Sequence, residues 1–140
     1  MVRHATTLKV RWGDVDSAGI AFYPRIFEWF DTASDELFAA LGLGWRELFP
    51  AEGIVGLPLV EAGCRFSAPI RYGDELTIVS TITRVEAKTI RIEHELSVGE
   101  TRCAEGYEVR AWAEGAAGGG NRLQAREIPE AVARRLRGEG

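Results

Sequence analysis

At 140 residues the chain has the length of one domain, spanning 1–140, and can bury a core without disulfide or metal staples. Its 46% hydrophobic and 27% charged residues are the proportions of a globular domain and exclude a disordered or fibrous chain. A net charge of -4 argues against a nucleic-acid partner and does not exclude a phosphorylated ligand, which needs only a local basic cluster. The first residues, Met1 to Thr7, lack the apolar core of a signal peptide. No apolar run approaches the ~18 residues of a membrane span, so a cytoplasmic protein is expected.

Leu8, Val10 and Trp12 alternate with Lys9 and Arg11, the pattern of a half-buried strand. Gly13 to Gly19 interrupts it with loop residues. From Pro24 the period becomes helical: Ile26, Phe30, Ala33, Leu37 and Leu41 share a face. Pro24 suits a first turn and Gly42 a left-handed stop, which predicts one helix of about 18 residues. Phe27, Trp29, Phe38 and Ala40 widen its apolar stripe, so the helix is expected to be wrapped by other elements. A short helix is expected at Trp45 to Phe49, ended by Pro50.

The remainder to about Glu114 is strand-like. Val60, Ala62, Cys64 and Phe66 alternate with Glu61, Gly63, Arg65 and Ser67, and Tyr72-Gly73-Asp74 makes a corner. Leu76, Ile78 and Ile82 share one side of the next strand, and Ile90, Ile92, Leu96 and Val98 one side of another. His94 lies on that apolar side and reads as a satisfied core or interface histidine. Thr101 to Ala113 is expected as one long strand, Gly115 to Asn121 as a flexible loop, and Ile128 to Leu136 as a small basic helix. Short turns between the strands favour antiparallel hairpins. Cys64 and Cys103 have no metal or redox spacing and read as buried apolar side chains. A run of strands beside one segregated helix gives an α+β class, with a curved antiparallel sheet around a long central helix.

The chemistry concentrates before that helix, in Trp12-Gly13-Asp14-Val15-Asp16-Ser17-Ala18-Gly19-Ile20-Ala21-Phe22-Tyr23-Pro24. A helix start offers unpaired N–H groups and a partial positive charge, which can hold a carbonyl oxygen as it becomes an oxyanion. A carboxylate beside it can attack the carbonyl carbon or activate water. An EF-hand loop would place Ala18 and Arg25 at ligand positions, so no metal is expected. Spacing alone leaves open that either aspartate merely caps the helix.

The stretch Trp12 to Ser34, with Gly53-Ile54-Val55-Gly56-Leu57-Pro58 and Tyr72-Gly73-Asp74-Glu75-Leu76, resembles the 4-hydroxybenzoyl-CoA thioesterase family of hotdog proteins. It is also similar to the thioesterases associated with the Tol–Pal system. The resemblance covers roughly residues 6 to 130. It implies a hotdog fold and hydrolysis of an acyl-CoA thioester, aromatic or short-chain, to free acid and coenzyme A. Asp16 would be the catalytic carboxylate, and the backbone N–H of Tyr23 would polarise the carbonyl. Asp14 would organise the loop. Gly19 would permit close substrate approach, Phe22 would line the acyl pocket, and Asp31 matches a position near the acyl group. Lys88 matches a basic position that contacts the coenzyme A nucleotide, whereas Glu86 and Ala87 stand where the family carries basic residues. No cofactor is implied, because coenzyme A is part of the substrate. The family assembles as dimers or tetramers with sites at subunit interfaces. Two other functions stay open at the level of sequence: a non-catalytic acyl-CoA or acyl-carrier binding module, and hydrolysis of acyl-carrier-protein thioesters.

Overall fold

The computed structural model describes residues 1–115 and 122–139, so the loop expected over 115–121 lies, beyond Gly115, outside the described residues. Strand β1 (Arg3–Lys9) leads through a 3-10 turn at Trp12–Asp14 to helix α1 (Tyr23–Ala40), and α2 (Trp45–Glu52) follows. Four strands then run β2 (Leu59–Phe66), β3 (Glu75–Val85), β4 (Thr89–Val98) and β5 (Thr101–Ala111). A short pair, β6 (Ala113–Gly115) and β7 (Leu123–Ala125), precedes α3 (Glu130–Leu136). The main sheet has the order β1-β3-β4-β5-β2 and every pairing in it is antiparallel. With α1 packed on one face of this sheet, the chain has the α+β hotdog fold.

α1 packs through Ile26, Trp29, Phe30, Ala33, Leu37 and Phe38, the apolar stripe the spacing predicts. Its outer side carries Glu28, Asp31, Asp35 and Glu36, so the sheet wraps the helix on the apolar side only. Gly42 ends it at φ +73°, a conformation in which a side chain would clash.

The core falls into two apolar clusters. One holds Ile26, Trp29, Phe30, Leu76, Ile78 and Leu96, and the other Leu37, Phe38, Ile82, Ile90, Ile92 and Leu136. Between them the inward positions of the sheet change to Ser80, His94 and Gly106, which lie side by side in register. The His94 ring stacks on Phe30 at 4.6 Å between centroids. Gly106 makes room for this stack: a Cβ there would lie 2.6 Å from the Phe30 ring and 2.5 Å from the Gly63 carbonyl oxygen. Gly106→Ala is therefore expected to destabilise the protein by about 1–3 kcal/mol, read as a shifted urea midpoint with unchanged slope. A wild-type midpoint would show that the Phe30–His94 stack yields freely.

Three local expectations change. Pro50 lies inside α2, which continues to Glu52 and stops at Gly53 with φ +67°. In so short a helix the missing Pro50 N–H removes a single hydrogen bond, and the left-handed glycine sets the end. The strand expected over Thr101–Ala113 breaks after Ala111, because its neighbour β4 begins at Thr89, opposite Ala111. Trp112 N–H then donates to Lys88 O at 2.9 Å, and Ala113 passes to a new partner in β7. Finally, β2 is an edge strand and leaves apolar side chains in water, with Val60 64% and Phe66 54% exposed. No helix among the described residues is long and apolar enough to cross a membrane.

Candidate active site

The loop that joins β1 to α1 is a tight reversal. Asp14 accepts from Arg11 N–H through Oδ2 at 2.8 Å, and its carbonyl accepts from Phe22 N–H at 2.8 Å. Val15 and Ala21 form a bridge across the reversal, and Ala21 N–H donates to Ile70 O at 2.7 Å. Asp14 thus ties both ends of the loop together, the structural role the sequence implies. At the tip, Asp16 N–H donates to Ile20 O and Gly19 N–H to Asp16 O, each at 2.9 Å. Gly19 takes φ +78°, which closes this turn and which a side chain would resist.

Asp16 is held through one oxygen. Its Oδ1 accepts from Ala18 N–H at 2.9 Å and from Ile20 N–H at 3.4 Å. Its Oδ2 has no hydrogen-bond partner among the described residues. Neither aspartate caps α1: the N-cap is Phe22, and no side chain there accepts a helix N–H. Pro24 in the first turn has no N–H, Arg25 N–H donates to Phe22 O at 2.8 Å, and Tyr23 N–H has no acceptor among the described residues. The first amide of α1 is thus free, and it carries the positive end of an 18-residue helix.

The two residues that carry these features line one cleft of about 690 Å³, walled also by Phe22, Ile26, Phe66 and Ile70. Its walls are mostly apolar, with a carboxylate and a free helix amide as polar features, which suits a ligand that is largely hydrophobic but carries a reactive carbonyl. Among the described residues no cluster of three or more His, Cys, Asp or Glu side chains could hold a metal ion.

Asp16, Phe22 and Tyr23 therefore line one cleft, and Gly19 closes the turn that carries Asp16 without lining it, whereas Asp31 and Lys88 lie elsewhere on the chain. Asp31 follows Tyr23 by eight residues, roughly 12 Å along the helix axis, and its Oδ1 accepts from Arg110 Nη2 at 2.7 Å. Lys88 sits in the β3–β4 turn and lines a separate cleft of about 470 Å³ with Glu52, Trp112, Arg126 and Glu127.

Residues 10–136 match the thioesterase-like superfamily. The chain belongs to that family. This thioesterase is 33% identical over 127 residues to 4-hydroxybenzoyl-CoA thioesterase of Pseudomonas sp. strain CBS-3, covering 86% of this chain and 88% of that one. It is 32% identical over 88 residues to 1,4-dihydroxy-2-naphthoyl-CoA hydrolase of Synechococcus elongatus, covering 63% of this chain and 65% of that one. The solved 4-hydroxybenzoyl-CoA thioesterase from the Pseudomonas strain superposes with a TM-score of 0.86 at 31% identity, over 97% of this chain and 99% of that one. A gentisyl-coenzyme A thioesterase superposes with a TM-score of 0.81 at 30% identity, over 96% and 99%.

Other residues of this thioesterase were not legible as parts of a site. Phe66 at the end of β2 and Ile70 in the segment that follows wall the cleft, and only the chain path brings them there. Glu108 and Arg110 lie buried in β5 beside His94. Glu108 Oε1 accepts from Ser34 Oγ and from His94 Nε2, the latter at 3.1 Å, and Glu108 Oε2 accepts from Arg110 Nη2 at 2.8 Å. Because a carboxylate only accepts, His94 carries a proton on Nε2, and in the neutral ring its Nδ1 accepts from Ser80 Oγ at 2.7 Å. Burial pushes the Glu108 carboxyl up, but the His94 hydrogen bond, the Arg110 charge and the Ser34 hydrogen bond together hold it below the ordinary glutamate value. His94 is thus a satisfied core histidine.

Proposed function

We propose that this thioesterase hydrolyses the coenzyme A ester of a hydroxylated aromatic acid, with Asp16 as its catalytic carboxylate. The observation that carries the reading is a free Oδ2 on Asp16 and a free N–H on Tyr23, two residues that line one apolar cleft. A thioester carbonyl that accepts from Tyr23 N–H becomes more electrophilic, and the helix end stabilises the oxyanion that forms. Asp16 then supplies the attack. As nucleophile it displaces the coenzyme A thiolate and gives a mixed anhydride that water opens; as base it takes a proton from the water that attacks. Either way one water is consumed, the C–S bond breaks, and the products are a carboxylate and free thiol.

Phe22 and Ile26 offer an apolar seat for the acyl group, and Gly19, in the turn that carries Asp16, is assigned to close substrate approach. The choice of acyl group is supported by the relatives, whose named substrates, 4-hydroxybenzoyl-, 1,4-dihydroxy-2-naphthoyl- and gentisyl-CoA, all carry a ring hydroxyl. Asp31 is assigned to the acyl end and Lys88, which shares its cleft with Arg126, to the coenzyme A phosphates. Asp31 and Lys88 stand apart from Asp16 within one chain, in keeping with a site completed by a second copy. The exposed apolar side chains of edge strand β2 support such a dimer, or a tetramer built from it.

Thiol release from a panel of acyl-CoAs tests the reading. Hydroxylated aromatic esters are expected to give the highest kcat/KM; a preference for long straight acyl chains would refute the substrate assignment. Light scattering at micromolar concentration is expected to give a dimer or tetramer, and a monomer would refute the shared site.

A further inference from the structure

A line of polar side chains crosses the core from Ser80 to the surface of α1 and ends on one exposed carboxylate. Inside, Ser80, His94, Ser34 and Glu108 bond one another in full burial. Arg110 extends the line outward: Nη1 donates to Leu57 O at 2.8 Å, and Nη2 serves both Glu108 Oε2 at 2.8 Å and Asp31 Oδ1 at 2.7 Å. The Trp45 ring lies against the guanidinium, 5.2 Å from its carbon to the ring centre. The Arg110 side chain is 6% exposed and that of Asp31 61%.

Three features set this apart from a fastening of helix to sheet. Glu108 already neutralises Arg110, so the guanidinium has no need of a second carboxylate. Buried Arg110 Nε has no partner among the described residues, so the group favours reach toward Asp31 over its own saturation. An exposed helical aspartate would otherwise turn freely, yet this one is pinned through Oδ1 while Oδ2 has no partner among the described residues. A pinned carboxylate with one open oxygen is a preorganised hydrogen-bond acceptor.

We propose that Arg110 is a positioning residue of the acyl site: held by Glu108 and the Leu57 carbonyl, it aims the free oxygen of Asp31 at a hydroxyl on the bound acyl group. The proposal rests on the reading above, in which Asp31 lies at the acyl end of a hydroxylated aromatic substrate. It adds that discrimination for the hydroxyl originates in the core, through a residue that never touches the ligand.

The readout is the ratio of kcat/KM for 4-hydroxybenzoyl-CoA to that for benzoyl-CoA, in wild type, Asp31→Ala, Arg110→Lys and the double variant. Lysine keeps a positive charge beside Glu108 but has no fork with which to hold Asp31 and the Leu57 carbonyl as well. Each single variant is expected to lower the ratio about tenfold, the scale of one lost hydrogen bond to a charged group. The double variant is expected to lower it no further than Asp31→Ala, because Arg110 acts through Asp31. An Arg110→Lys protein that is slower on both esters at an unchanged ratio would overturn the positioning role and leave Asp31 in place. A wild-type ratio in Asp31→Ala would instead overturn the assignment of Asp31 to the acyl end, and a wild type inert toward both esters would overturn the proposed function itself. If Arg110→Lys does not fold, Glu108→Gln removes the inner charge at constant shape. A severalfold lower ratio is then expected, and an unchanged one overturns the proposal.

Discussion

Asp16→Asn is expected to lower kcat on the best acyl-CoA by about 10²–10⁴-fold, the range for loss of a positioned acid–base or nucleophilic group. Substrate affinity should move by no more than severalfold. The contrast follows from the loop. Asp16 is anchored through Oδ1 to the N–H groups of Ala18 and Ile20, and an asparagine carbonyl can accept both bonds in the same place. The backbone bonds Asp16 N–H to Ile20 O and Gly19 N–H to Asp16 O do not depend on the side chain at all. What changes is the free position, where an amide nitrogen replaces Oδ2 and can neither attack a carbonyl nor take a proton from water. Tyr23 N–H remains in place to bind the thioester carbonyl. Steady-state thiol release gives kcat, and calorimetry with the inert variant gives Kd. A variant that melts far below wild type would place Asp16 in the loop's framework rather than in its chemistry.

The second large effect is on stability. Glu108→Ala removes the acceptor shared by Ser34, His94 and Arg110 and leaves a buried guanidinium without its inner partner. Breaking a buried ion pair from one side costs about 3–5 kcal/mol, because the remaining charge keeps its desolvation penalty. For a chain of this size that is a drop in Tm of roughly 10 °C or more, compared at equal protein concentration. The contribution has a definite pH dependence. Because the folded state holds the Glu108 carboxyl below its ordinary value, ionised Glu108 stabilises the fold at neutral pH. This stabilisation is lost as pH falls through the lowered folded value, where the carboxyl takes up a proton. Urea unfolding of wild type and Glu108→Gln should therefore show a stability gap that is widest near pH 7 and narrows once the pH falls below the ordinary glutamate value. A gap that stays constant over that range would mean that the charge on Glu108 does not contribute.

What could be read from the sequence, and what could not, divides along physical lines. α1 was legible because its apolar stripe, Pro24 and Gly42 are local signals, and each does in the fold what its chemistry allows. The loop from Trp12 to Pro24 was legible as a site but not as a choice between capping and catalysis. Capping depends on where one side-chain oxygen goes, and the structure sends Asp16 Oδ1 back to its own loop and leaves the α1 start to Phe22, which removes the cap and leaves catalysis as the proposal. β5 misleads by composition. Tyr107 and Val109 look like its buried face but are only half-buried, whereas Gly106 takes the inward position opposite His94, and Glu108 and Arg110 are buried. Their burial is paid for by His94, Ser34 and Asp31, residues of other elements that no periodicity within the strand reveals. The exposed apolar side chains of β2 were equally hidden, since alternation cannot tell an edge strand from an inner one.

The fold divides the labour of the site between a rigid and a mixed environment. α1 is fixed by two apolar clusters, so its first amide has a set place; the Asp16 carboxylate rides on a short loop closed by backbone hydrogen bonds and one left-handed glycine. In the proposed reaction such a pair acts on the carbonyl without a histidine or serine nucleophile.

The central claim, that Asp16 and the start of α1 cleave an acyl-CoA thioester, is tested most directly by thiol release from 4-hydroxybenzoyl-CoA with wild type and Asp16→Asn side by side. The expected result is turnover by the wild type and a loss of at least about 10²-fold in the variant, at a Kd within severalfold of wild type. Equal rates in the two proteins, or no thiol from the wild type on any hydroxylated aromatic acyl-CoA, would contradict it.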